Sequence, residues 1–97
     1  MTFRWEQFQK LQATTLKTTG RGERFTVLSV DSERISIVVG PQARPQTIVR
    51  GQFERAHRLG LMTPDVTPSQ LAIVNIAGGR TAYAAAIIRA VVQNPGA

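Results

Sequence analysis

Apolar residues along this chain change their spacing repeatedly, and each change predicts a different element. From Thr2 to about Lys17, Trp5, Phe8 and Leu16 fall on one arc at about 100° per residue, with Leu11 and Ala13 on its shoulders. That spacing predicts an N-terminal helix with Thr2 as its N-cap, weakened at its far end by Thr14, Thr15, Thr18 and Thr19 and stopped by Gly20-Arg21-Gly22. The spacing then shortens to two. Phe25 and Val27, with Ser29, take one face of a run that has Thr26, Leu28 and Val30 on the other. After the polar turn Asp31-Ser32-Glu33-Arg34, the run 35–39 returns with the same period, which predicts a β-hairpin over 25–39.

Pro41 and Pro45 mark a loop, and Thr47-Ile48-Val49 can add a third short strand. Beyond it the period lengthens again. Val49, Phe53, Ala56 and Gly60 form a helical stripe that Gly60 ends. Thr67-Pro68-Ser69-Gln70 is a capping-box start: threonine at N-cap, proline at N1 and glutamine at N3. That helix is expected to run to about Ile76 and to break at Gly78-Gly79, and a last helix follows over 81–93. The fold class is therefore α+β: an N-terminal helix, a short antiparallel sheet of two or three strands, then three helices, in a single small domain over 1–97.

Composition narrows the chemistry. The 97 residues contain no cysteine, which removes disulfides, thiolate metal sites and a cysteine nucleophile. The six carboxylates are scattered, and His57 is the only histidine, so neither a paired acid/base site nor a multi-histidine metal site is proposed by the spacing. His57, beside Phe53 and Ala56, reads as a half-buried shoulder residue. No catalytic residue, metal or cofactor is expected. The start of the chain lacks an apolar signal segment. The longest apolar-rich stretch, Leu71 to Val92, is interrupted by Asn75, Gly78-Gly79-Arg80 and Arg89. A cytoplasmic protein without a membrane partner is the expectation.

Charge then points to a partner class. Ten arginines and two lysines face six acids, a net charge of +6. Such an excess attracts polyanions, and arginine's planar fork suits phosphate. A compositional origin competes with this, since eleven alanines accompany the ten arginines, as a coding bias towards both would produce. The residues expected to contact nucleic acid are Arg21, Arg24, Arg44, Arg80 and Thr81, at loop tips and at the opening of the last helix, where packing does not require them. Arg50, Arg55 and Arg58 share a helix with Glu54, which is placed to pair with Arg50 or Arg58 and dilute that face. Gly78-Gly79-Arg80-Thr81 lacks the lysine and spacing of a nucleotide-binding loop and reads first as a tight turn between two helices, ahead of an anion site at the helix opening. The helix pair around it has the lengths of a helix-turn-helix, but the helix 81–93 offers almost no polar side chain to read bases.

That helix is apolar nearly all round, so it is either enclosed by its own domain or covered by a partner. The alternative function follows: a protein-interaction or regulatory adaptor module, with Tyr83, Ile87, Ile88 and Val91 as the interface of a homodimer or of a protein partner. The leading expectation is a non-enzymatic basic domain that binds DNA or RNA mainly through phosphates.

Overall fold

The computed structural model describes residues 3–18, 22–39 and 45–93. Four strands, β1 (Thr15–Lys17), β2 (Arg24–Val30), β3 (Arg34–Val39) and β4 (Gln46–Val49), form an antiparallel meander in the order β1-β2-β3-β4. Helix α1 (Trp5–Gln9) precedes the sheet. Helices α2 (Arg50–Arg58), α3 (Pro68–Ile73) and α4 (Thr81–Gln93) follow it, with one 3₁₀ turn at Gly78–Arg80 before α4. The α+β class and the expected hairpin are present, and the sheet has four strands where two or three were expected. No helix among the described residues is long and apolar enough to cross a membrane.

The N-terminal helix is much shorter than its hydrophobic arc suggested. It ends after Gln9, and the chain loosens into three-residue turns: Leu11 N–H donates to the Phe8 carbonyl at 3.0 Å and Gln12 N–H to Gln9 at 3.3 Å. Ala13 then takes a left-handed conformation, φ 68°. Its N–H reaches the Val27 carbonyl at 2.7 Å, while Val27 N–H reaches Thr14 at 2.9 Å. Residues 13 and 14 thus oppose one residue of β2, a β-bulge of the kind usually built on glycine. Of the threonines that weakened the helix, Thr15 belongs to strand β1 and Thr14 and Thr18 flank it, where branched side chains fit the pleat. Thr2, the expected N-cap, lies outside the described residues.

A second bulge sets which face β2 buries. Val27 pairs with Ile37 but Ser29 pairs with Ser36, so Leu28 is the extra residue. The alternation shifts by one there, and Val30 turns inward with Phe25 and Val27 while Leu28 is left 45% exposed. The expectation that Val30 shares the face of Thr26 is corrected by this bulge. The inner face is completed by Ile35, Ile37 and Ile48, all buried, and by the half-buried Leu16 and Val39.

The helices cover that inner face and leave the other bare. Phe8 stacks on Trp5 at 4.8 Å and tilts against Phe53 at 4.9 Å, joining α1 to α2. Trp5 Nε1 donates to the Asp31 carbonyl at 2.6 Å, which ties the same cluster to the hairpin turn. In that turn the Asp31 carboxylate accepts the Glu33 and Arg34 N–H groups, both at 2.8 Å. These bonds hold its pKa below the usual carboxylate range. The guanidinium of Arg50 lies over the rings of Trp5 and Phe3 and pairs with Glu54 at 3.8 Å.

Helices α2 and α3 both end in Schellman turns. After α2, Gly60 (φ 74°) donates to His57 at 3.1 Å and Leu61 to Ala56 at 2.9 Å. The capping box of α3 is present, with Thr67 and Gln70 exchanging side-chain to backbone bonds at 3.1 and 3.2 Å. That helix stops at Ile73, short of the expected Ile76, because Asn75 takes the left-handed position (φ 56°) and Ile76 N–H returns to Leu71 at 2.9 Å. Asn75, not Gly78, therefore closes α3. Helix α4 spans the expected residues.

Ala13 supplies a direct test of the redrawn N-terminus. A left-handed alanine costs about 1–2 kcal/mol that glycine avoids, against about 0.5–1 kcal/mol of added chain entropy. Ala13 is exposed, so Ala13→Gly is expected to raise stability by about 0.5–1 kcal/mol in urea denaturation. A helical Ala13 would give a loss instead.

Candidate nucleic-acid interface

At the end of the sheet where β1 leads into β2, two cations stand on the outer face, and the exposed Glu23 beside Arg24 in the chain has the inner parity. Lys17 and Arg24 are directly opposed across β1 and β2, and both are exposed. The neighbouring bond from Thr18 N–H to the Glu23 carbonyl, 2.9 Å, makes 18/23 a hydrogen-bonded pair. By alternation 17/24 is the closely spaced, non-bonded kind, with Cα atoms about 4.5 Å apart. Two cations therefore face each other at the closest cross-strand spacing, a juxtaposition that costs stability. Neither is ion-paired with a carboxylate among the described residues.

The described residues that flank the connection are bonded to one another. Thr18 is the buried polar residue among those described, and its hydroxyl accepts the Glu23 N–H at 3.0 Å. Gly22, left-handed at φ 65°, donates to the Thr18 carbonyl at 3.2 Å. The register then fixes what surrounds the cations. Thr15 and Thr26 share the face with them, their hydroxyls 3.1 Å apart. Val38 lies next in the same row, and Ser29, Ser36 and Thr47 form a second row across three strands. No strand residue on this face is acidic. Asp31 and Glu33 lie at the opposite end, in the β2–β3 turn, near Arg34.

The residues expected to contact phosphate are only partly gathered. Arg21 and Arg44 lie outside the described residues. The described residues that flank them, Thr18 and Gly22, and Val39 and Pro45, are at the same end of the sheet as Arg24. Arg80 is half-buried elsewhere, beside the start of β4, where its Nε donates to Gln46 Oε1 at 3.1 Å. Gln46 shares the inner parity of Ile48, whereas Arg24 has the outer parity of Thr26, so the two arginines meet only around the sheet's end. Thr81 is half-buried as the first residue of α4.

The side chains assigned to an interface on α4 are covered by the chain itself. Ile87 and Ile88 are fully buried and Val91 nearly so, in the single core cluster. Tyr83 is half-buried and meets the Phe25 ring edge-on at 5.2 Å. Of the two ways to satisfy an all-apolar helix, this structure uses enclosure. Arg89 lies on its half-wet side and donates from Nε to the Val66 carbonyl at 3.0 Å. His57 is half-buried with its ring edge-on to Phe3 at 5.7 Å.

Lys17 is the residue that sequence reasoning missed. Its place within an expected helix hid its pairing with Arg24. The run of threonines on both sides of it was the available signal for a strand. The chain matches no protein-family model, no curated protein and no solved structure.

If Lys17 and Arg24 repel each other in the free protein, reversing one charge removes the cost. Lys17→Glu is expected to stabilise the fold by roughly 0.2–1 kcal/mol, measured by thermal or urea unfolding, with the gain fading as salt is added. A loss of stability at low salt would contradict the opposed placement.

Proposed function

We propose that this protein binds nucleic acid, mainly through phosphates, on the outer sheet face at the Lys17–Arg24 end, without catalysing a reaction on it. The observation that carries the reading is the opposed, uncompensated pair of cations on a face lined by hydroxyls and free of acids. A polyanion laid there relieves the repulsion and gains charge-assisted bonds at once. Threonine and serine hydroxyls are common donors to phosphate and sugar oxygens and carry little sequence information. No aromatic ring stands on this face to stack bases, which favours backbone contacts over base readout.

The competing cationic surface is weaker. Arg50 is engaged by Glu54 and by the rings of Phe3 and Trp5, which leaves Arg55 and Arg58 on α2 beside an acid. Arg21 and Arg44 keep the phosphate-contact role proposed from the sequence and lie outside the described residues.

The test is titration of labelled single- and double-stranded oligonucleotides at several salt concentrations. Lys17→Ala and Arg24→Ala are each expected to weaken binding by a similar factor for every sequence. Each should make the slope of log affinity against log salt shallower by about one unit. Arg55→Ala and Arg58→Ala are expected to change it less. Undetectable wild-type binding at low salt with high-micromolar oligonucleotide would make the basic charge compositional.

A further inference from the structure

We infer that the groove beside β4 receives an extended polypeptide segment, which adds a fifth strand to the sheet and sets a carboxylate against Arg80. Among the described residues, the outer edge of β4 pairs with no strand. β4 is the last strand of the meander. Arg50 N–H donates to the Glu33 carbonyl at 2.7 Å, and with the register 35/48 and 37/46 this makes Ile48 and Gln46 the residues that bond β3. Thr47 and Val49 therefore turn their backbone groups outward. The Val49 carbonyl opens α2 as its N-cap, which leaves the Thr47 N–H and C=O and the Val49 N–H as a donor–acceptor–donor row. Both residues are exposed.

That edge borders a groove of about 330 Å³, whose other lining includes Gln52, Asn75, Gly78 and Arg80. The size lies at the lower end of ligand clefts, about 300–1,000 Å³. The far wall is already held in place. Ala77 N–H donates to Gln52 Oε1 at 2.9 Å, and Arg80 N–H to the Ala77 carbonyl at 2.9 Å. Arg80 is the one charged side chain among the lining residues, and its bond to Gln46 fixes the guanidinium near the start of β4. A strand edge with a single fixed cation and no acid suits a peptide backbone ending in one negative charge. An antiparallel addition, like every other pairing in this sheet, brings the C-terminal end of the incoming segment to Gln46 and Arg80. The occupant is thus an extended segment with Asp, Glu or a free carboxylate at its C-terminal end.

The probe is the capped peptide Thr-Val-Thr-Val-Glu, amidated, against its Gln-ended counterpart, titrated into the ¹⁵N-labelled full chain. Saturable shifts are expected at the Thr47, Val49 and Gly78 amides, with the Glu peptide binding about tenfold or more tightly, as a charge-assisted bond implies. Arg80→Gln is expected to equalise the two peptides. Thr47→Pro, which deletes an outward N–H at an edge position where proline is tolerated, is expected to abolish both. Lys17→Ala combined with Arg24→Ala is expected to weaken an oligothymidylate and not the peptide, so either reading can fail alone. The inference is overturned if both peptides bind equally to the wild type, or if no saturable shift appears at millimolar peptide. It is also overturned if these amides shift with protein concentration alone, which assigns the edge to a second copy, or if oligothymidylate displaces the peptide from them.

Discussion

The structure rests on a shortage of apolar cover. Four strands offer two faces, and the chain has helices enough to bury one. The inner face takes Phe25, Val27, Val30, Ile35, Ile37 and Ile48, and against it lie the aromatic cluster of α1 and α2 and the nearly all-apolar α4. Burial of this kind, at about 25 cal/mol per Å² of apolar surface, is the main favourable term available to so short a chain. Once α4 is spent inside, no described element is left to cover the second face, and most of its residues are exposed. Its hydroxyls and cations follow from that constraint.

A wet sheet face is ordinary in antiparallel proteins. What distinguishes this one is the spacing of its charges. Lys17 and Arg24 occupy a closely spaced pair when either position could have held threonine at less cost. The Thr18 hydroxyl, bonded to the Glu23 N–H, ties the two strand ends together beside them. The second exposed feature, the outer edge of β4, is formed by different means. There the 3₁₀ turn and the left-handed residues Asn75, Ala77 and Gly78 carry the chain away from the sheet and leave a gap. The two features lie toward opposite edges of the sheet, one on β1 and β2 and the other along β4, which is why Arg24 and Arg80 are assigned different partners.

Elements defined by local chemistry were legible from sequence. The hairpin declared itself by its β-branched runs either side of a polar turn, the start of α3 by its capping box, and α4 by an apolar run interrupted at Arg89, between a glycine turn and Asn94-Pro95. What stayed hidden depended on long-range pairing. Trp5, Phe8, Leu11 and Leu16 fit a helical arc, yet Leu16 fits a strand as well. Only the bond from Ala13 to Val27 decides between them. The bulge at Leu28 did leave a mark, since Val27-Leu28 sets two apolar residues side by side and Ser29 falls on the Phe25 parity, but strict period-two counting carried past it and put Val30 on the Thr26 face. The site shared that fate: Arg24 and Arg80 were picked out as loop and turn arginines. Lys17, and the edge beside Arg80, exist as features only after the strands pair.

Mapping backbone amides of the labelled protein during addition of an oligonucleotide, at low salt, tests the central claim most directly. The account predicts that the largest shifts fall on Thr15, Lys17, Arg24, Thr26 and Val38, with the inner face and α2 little changed. Shifts centred on Arg55 and Arg58, or an unchanged spectrum, would contradict it.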